Sequence, residues 1–484
     1  MQRTAARALI VTAALVAAGL TAGRPATAAR EEPVAHFVVL AKKGAPLART
    51  EASVRHAGGQ VVRSWPQIGV VVATAPDAGF AAAVRPLPGV VAAGATRNLV
   101  ELGGTTPPSM LSIMDRQVGS EVADPLTENQ WSMRQIRADV AHEISSGSRN
   151  VVVGVVDGGL DASHPDLAPN VVVSRSAGCG DEGVPDTSPG AWAPFHPLFG
   201  HGTAVAGIIA AARNGFGVEG VAPNVRIASV RVADADGFIY PEYLICGYVW
   251  AAEHGIQVTS ASIFADPWMR WCDDDPDQAA AAGAMRRAID YAARRGVVNV
   301  AALGNDNVDM SRPVLDTISP DNGEPIERLT GANCQLVPGE VPGVVTVSAT
   351  GAQERKARYS NYGIRDVDVT APGGDPDQIP DTGDHNPGVL TTVNDGGWIY
   401  FSGTSAAAPH VAGVLALIRS THPGWSSKRV IAALESQADR LPCPSGGGYD
   451  PGGTGEWRAH CQGGRSGKGF YGHGLVDALD AVTR

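Results

Sequence analysis

The sequence predicts an α/β protein with a mostly parallel sheet and helices on both faces, preceded by a small α+β unit of ferredoxin-like order. Three observations carry this. Five segments, VVVGVV (151–156), VRIASVRV (225–232), IQVTSASI (256–263), VVNVAA (297–302) and VVTVSAT (344–350), are apolar throughout instead of alternating, and such runs belong to strands buried on both faces of a parallel sheet. Between them TAVAGIIAAAR, PEYLICGYVWAAEH and QAAAAGAMRRAIDYAARR read as helices able to cover both faces. Ahead of them, residues 35–102 run strand, helix, strand, strand, helix, strand through HFVVLA, LARTEASVRHAGG, QVVRSW, IGVVVATA, DAGFAAAVRPLPG and VVAAGATRNLV, which is the ferredoxin-like order.

In chain order, residues 1–29 read as a secretory signal peptide. Arg3 and Arg7 precede a 13-residue apolar run, Ala8 to Leu20, and Ala26, Ala28 and Ala29 supply a small-residue cleavage site. The run is shorter than the ~18 residues of a spanning helix, so a secreted, extracellular protein without a membrane anchor is expected. Residues 30–104 hold the small unit. A polar, proline-containing stretch, 105–128, has the composition of an exposed linker where the chain is expected to be cut. The large domain fills 129–484.

Composition narrows the function. The chain of 484 residues is 44% hydrophobic and 18% charged, which suits a folded globular protein. A net charge of −11 leaves no basic stripe to replace phosphate counterions, so nucleic acid is excluded as a partner. All six cysteines follow the signal, and an even number in an oxidising compartment predicts bridges whose connectivity the count leaves open. Cys443 and Cys461 flank the Gly-rich excursion GGGYDPGGTG, a loop whose closure would contribute about 3 kcal/mol. Cys272 with Cys334 is a second expected pair. Cys246 is read either as a buried free thiol or as bridged to Cys179.

Three short segments carry chemistry. Asp157 ends the strand VVVGVV before two glycines, at the carboxyl end of a buried parallel strand, where ligand crevices form. His201 lies in GHGT before the helix TAVAGIIAAAR, where Thr203 is expected to help begin the helix. Ser405 opens the helix SAAAPHVAGVLALI, which is apolar nearly all round and so buried, with Pro409 expected within its first turn. Taken singly, the acid is a turn former and the serine an N-cap. Taken together they form a nucleophile, a base to accept its proton, and a carboxylate to fix the base. His164 and Asp166 read as polar loop residues, and His196 as a surface one. The six residues GFGVEG (215–220) match a dinucleotide fingerprint but follow a helix, the wrong order for nucleotide binding.

VVDGGLDASHPDL, GHGTAVAG and SGTSAAAPHVAG resemble the Asp, His and Ser signatures of the subtilisin-like serine proteases, the subtilases, in the chain order known for subtilisin. The resemblance implies a secreted endopeptidase acting through an acyl-enzyme on Ser405. It places Asn305, in AALGNDN, as the side-chain oxyanion donor with the backbone N–H of Ser405 as partner. It matches Ser262, Ile263 and Phe264, with Ala302, Leu303 and Gly304, to the substrate-binding strands. Residues 30–104 then resemble an inhibitory propeptide removed by self-cleavage. The partners implied are polypeptide substrates and the chain's own propeptide, the enzyme acting as a monomer. No cofactor is needed for the chemistry, and structural calcium is implied without a position. Ala204 and Ala406 depart from the family's usual histidine and methionine, and Leu303 and Phe264 are expected to narrow the cleft. The rival reading is a catalytically silent fold used for binding, which intact triad and oxyanion residues disfavour.

Overall fold

The structure, a computed structural model, describes residues 34–97 and 126–484 and the backbone of 114–118. The signal peptide therefore lies outside the described residues, as does most of the linker. Within the linker, the backbone of Met114–Val118 runs antiparallel to Gly397–Phe401, adding a third strand to a hairpin.

The N-terminal unit follows the expected order: β1 (Ala35–Leu40), α1 (Ala48–His56), β2 (Gln60–Trp65), β3 (Val70–Ala75), α2 (Phe80–Val84) and β4 (Ala92–Ala95). Its strands lie antiparallel in the order β2-β3-β1-β4. Alternation assigns the two faces. Phe37, Val39, Val71 and Ala73 pack with Val54, Phe80 and Val84 of the unit's own helices. Val38, Leu40, Val70 and Val72 point the other way, into a core shared with Ala281, Met285 and Ala288 of the large domain. A sheet with two apolar faces cannot leave one in water, so the unit docks.

Charged groups ring that contact. Arg85 meets Asp277 at 2.6 Å, and Asp277 also accepts the N–H of Ala95. Arg97 pairs with the fully buried Glu242 at 2.9 Å and lies 4.4 Å over the Tyr240 ring. His36 stands 3.8 Å from the same carboxylate. Burial, and then the Arg97 charge, lower its pKa to about 4. The unfolded chain, with a histidine near 6.5, therefore binds more protons than the folded one between these values. His36 contributes fully above pH 6.5 and loses its contribution as pH falls toward 4. In a Ser405→Ala background, to prevent autolysis, the melting midpoint should fall less steeply over this window in His36→Gln than in its parent. Parallel pH profiles would contradict the assignment.

The large domain is built on seven parallel strands: β5 (Val152–Asp157), β6 (Ala177–Gly178), β7 (Arg226–Arg231), β8 (Val258–Ala261), β9 (Val298–Ala302), β10 (Val344–Thr350) and β11 (Val369–Pro372). They lie in the order β11-β10-β9-β8-β5-β7-β6. Successive side chains go to opposite faces, which is why these strands are apolar throughout. Val153 and Val155 meet α3 (His201–Ala210) and α6 (Thr404–Thr421), whereas Val152 and Val156 meet α4 (Pro241–Glu253) and α5 (Pro276–Arg294). The chain leaves β5 for β6 and β7 on one side and returns to β8 on the other. The strand order thus reverses at β5, whose last residue is Asp157, and such switch points open a crevice at the carboxyl ends of strands.

All three bridges form: Cys179–Cys246, Cys272–Cys334 and Cys443–Cys461. Cys246 is therefore not a free thiol. Asp275, in the acidic stretch WCDDDPDQ (271–278), caps α5, accepting from the N–H groups of Asp277 and Gln278. Among the described residues no helix is long and apolar enough to cross a membrane.

Candidate active site

Asp157 is fully buried at the end of β5, and His201 is the first residue of α3. The imidazole Nδ1 lies 2.9 Å from both carboxylate oxygens, and Oδ1 also accepts the Gly158 N–H at 2.7 Å. A carboxylate held this way orients the ring and favours the tautomer with its proton on Nδ1, leaving Nε2 free to accept one. The rings of Phe199, stacked at 5.7 Å, and Phe401, edge-on at 5.3 Å, fix the imidazole from two sides.

Ser405 is the second residue of α6. The turn before it requires glycine, since Gly403 has φ +142°. Ser405 Oγ is not hydrogen-bonded to His201; it donates to the carbonyl of Ser262 at 3.2 Å. Catalytic contacts in substrate-free sites are often loose and tighten in the complex. In return, the Ser262 hydroxyl donates to the carbonyl of Ser405 at 3.0 Å. The reason lies four residues on. Pro409 is the sixth residue of α6, in the second turn and not the first as the sequence suggested, and it has no N–H to offer that carbonyl. Ser262 thus supplies the missing bond and ties the backbone of Ser405 to the cleft wall.

Asn305 follows β9. Its side-chain carbonyl accepts from the N–H and hydroxyl of Thr404 at 2.8 and 2.9 Å, which turns the amide NH₂ outward. A methyl group on Gly403 would sit 3.5 Å from Asn305 Nδ2 and 3.5 Å from the backbone N of Ser405. Asn305 Nδ2 and the backbone N of Ser405 thus lie around one small space beside the serine, two groups able to donate to a single oxygen.

Ser262, Ile263, Phe264, Ala302, Leu303 and Gly304 all line a cleft of about 380 Å³ that also reaches Asn305 and Ser405. Leu303 is fully buried at its base, packed with Met310, Val314 and Leu336, with Phe264 alongside. Four further walls, Met269, Ile318, Leu336 and Trp457, lie outside the motifs read from the sequence. They come from loops whose approach is set by the Cys272–Cys334 and Cys443–Cys461 bridges, and no motif marks them. Tyr359 and Asn361 also line the cleft; no motif marks them, because their partners Gly403 and Leu303 lie 44 and 58 residues away.

Two local expectations are corrected. Thr203 does not cap α3, whose cap position is Gly200; its hydroxyl bonds to Asn394 Oδ1 and accepts the N–H of Asp161. His164 and Asp166 do lie in a turn, as the sequence suggested, but are fully buried there. Asp166 accepts from Trp398 Nε1 and the Val218 N–H, and His164 Nε2 contacts the Gly397 carbonyl. Their partners lie too far along the chain for local sequence to reveal them.

Comparison with known proteins gives a consistent picture. The model of the subtilase family matches residues 148–464. Subtilisin NAT of Bacillus subtilis subsp. natto is 29% identical over 334 residues, covering 69% of this chain and 71% of that protein. A subtilisin of Bacillus pumilus is 30% identical over 311 residues, covering 64% of this chain and 92% of that one. Among solved structures, the epidermin leader peptide processing serine protease of Staphylococcus aureus superposes with a TM-score of 0.66 at 22% identity, over 93% of this chain and 98% of that chain. This last likeness is one of fold.

Proposed function

Because the chain belongs to the subtilase family of serine endopeptidases, we propose that Asp157, His201 and Ser405 form its catalytic triad and that Asn305 and the Ser405 N–H hold the oxyanion. On substrate binding, the Ser405 hydroxyl turns from the Ser262 carbonyl to His201 Nε2. His201 takes its proton as Oγ attacks the scissile carbonyl, and Asp157 stabilises the imidazolium. The negative oxygen that develops is held by Asn305 Nδ2 and Ser405 N. His201 then protonates the leaving amine, and water deprotonated by His201 releases the acyl group from Ser405. The observation that most supports this reading is the placing of Asn305 Nδ2 and the Ser405 backbone N around one point beside Gly403.

Substrates are polypeptides. Ser262, Ile263, Phe264, Ala302, Leu303 and Gly304 are proposed to bind the residues ahead of the scissile bond. Ile263, Phe264, Met269, Ile318 and Leu336 make the cleft walls apolar, and Asp306 is the charged residue on its lining. A bulky apolar side chain suits this space, and an acidic one pays desolvation while facing Asp306. Cleavage of a mixed peptide library, with the new N-termini sequenced, tests both claims. Cuts should follow large apolar or aromatic residues and avoid Asp and Glu. No turnover, or a preference for acidic residues, would reject them.

We further propose that the enzyme is exported through residues 1–29 and acts outside the cell as a monomer. Its N-terminal unit would inhibit it until the chain is cut in the 105–128 region. The apolar docking face of that unit and the Arg97–Glu242 pair support this. The chemistry assigned to these residues requires no cofactor. Structural calcium is given no position, since among the described residues no three His, Cys, Asp or Glu side chains are arranged to hold a metal.

A further inference from the structure

Resting on the reading of Asn305 as an oxyanion donor, we propose that Asn361 is the residue that positions it, by clamping the loop on both sides of Asn305. Asn305 itself is exposed and follows the end of β9. Among the described residues its side chain is held by Thr404 alone, through its carbonyl oxygen. The loop around it needs another support, because a donor that drifts by about 1 Å loses much of its effect on a transition state.

Asn361 supplies five bonds to that loop, the longest from Nδ2 to Asp306 Oδ2 at 3.4 Å. Its Oδ1 accepts from the N–H groups of Asp306 at 2.9 Å and Val308 at 3.1 Å. Its Nδ2 donates to the Leu303 carbonyl at 3.0 Å, and its own backbone N–H donates to the Gly304 carbonyl at 3.0 Å. Residues 303, 304, 306 and 308 are thus all fixed by one side chain and its backbone, with Asn305 between them. The two accepted N–H groups also settle which end of the amide is oxygen. The loop is wrapped tightly on this amide. Gly304 has φ +107°, and a methyl group there would lie 2.5 Å from Asn361 Nδ2. Asn361 is buried to 1% exposure, so breaking its bonds leaves polar groups with little access to water.

The same short stretch also reaches the other donor. Tyr359 accepts the Gly403 N–H at 2.9 Å and bonds to the carbonyls of Gly373 and Gly374, each at 2.7 Å. Residues 359–361 therefore bind the loop that carries Asn305 and the turn that presents the Ser405 N–H. Their spacing is set by three residues of one chain segment.

A residue that acts through Asn305 has a signature that general destabilisation lacks. Asn361→Ala should lower kcat about 10- to 100-fold, a larger factor than the rise in KM that loosening Leu303 and Gly304 brings. Binding of a peptide aldehyde, which mimics the tetrahedral state, should weaken by a similar factor. Asn305→Ala alone should cost about 10²–10³-fold, a magnitude measured on a subtilisin. In the Asn305→Ala background the further loss on Asn361→Ala should be under about threefold, because the group it positions is gone. Should Asn361→Ala fail to fold, Asn361→Asp is measured instead; it keeps the oxygen that accepts both N–H groups, replaces the bonds to Leu303 and Asp306 with repulsion, and should show the same dependence on Asn305. Losses that multiply in the double variant, or an unchanged kcat, would overturn the inference while leaving the active site in place. An inactive wild type, or an Asn305→Ala variant as fast as the wild type, would remove the reading of the site and this inference with it.

Discussion

Ser405→Ala is expected to lower peptide hydrolysis about 10⁶-fold, the size of loss found for the corresponding nucleophile in a subtilisin. The change is small in volume. Ser405 Oγ makes one hydrogen bond, to the Ser262 carbonyl, and caps nothing, since the cap position of α6 is Gly403. The fold should therefore persist, with a melting midpoint close to that of the wild type. The variant should also keep its N-terminal unit. Wild-type protein isolated from the medium of a secreting host is expected to lose roughly the first hundred residues after the signal, an estimate that follows from the polar, proline-containing composition of 105–128. Ser405→Ala should retain them. Full-length wild type, or equal processing of both proteins, would contradict self-cleavage.

Asp157→Asn should cost about 10⁴-fold in kcat. The carboxylate is fully buried and meets His201 Nδ1 with both oxygens at 2.9 Å. An amide in its place can present an NH₂ to the ring. That favours the tautomer with its proton on Nε2, where it can no longer accept one from Ser405. The geometry survives while the chemistry fails. KM for a peptide substrate should change little, because Asp157 does not line the cleft. A variant within tenfold of wild-type kcat would show that the 157–201 contact is structural.

The sequence made some of this legible and hid the rest for identifiable reasons. The buried strands could be read because both faces of each are apolar, and Val152–Val156 alternates between two cores. The residues of the triad could be read because each stands at a strand end or a helix start inside its own motif. What was hidden depends on contacts between distant segments. Pro409 had a visible local meaning, a missing N–H, yet its compensation comes from Ser262, 143 residues from the serine it serves. His164 and Asp166 read as a polar loop because their partners, Gly397 and Trp398, lie more than 230 residues away. Asn361 sits 58 residues beyond the Leu303 carbonyl it holds. The cleft walls Met269, Ile318 and Trp457 belong to loops that the disulfides bring in, and cysteine counting alone did not fix that pairing.

The claim on which the rest depends is that Ser405 is an activated nucleophile. A serine-directed fluorophosphonate tests it by intact mass and peptide mapping of the labelled chain. The wild type should gain a single adduct, on Ser405, at a rate reduced by His201→Ala, and Ser405→Ala should gain none. An unlabelled wild type would favour a silent binding module, and an adduct on another serine with hydrolysis retained would move the active site elsewhere.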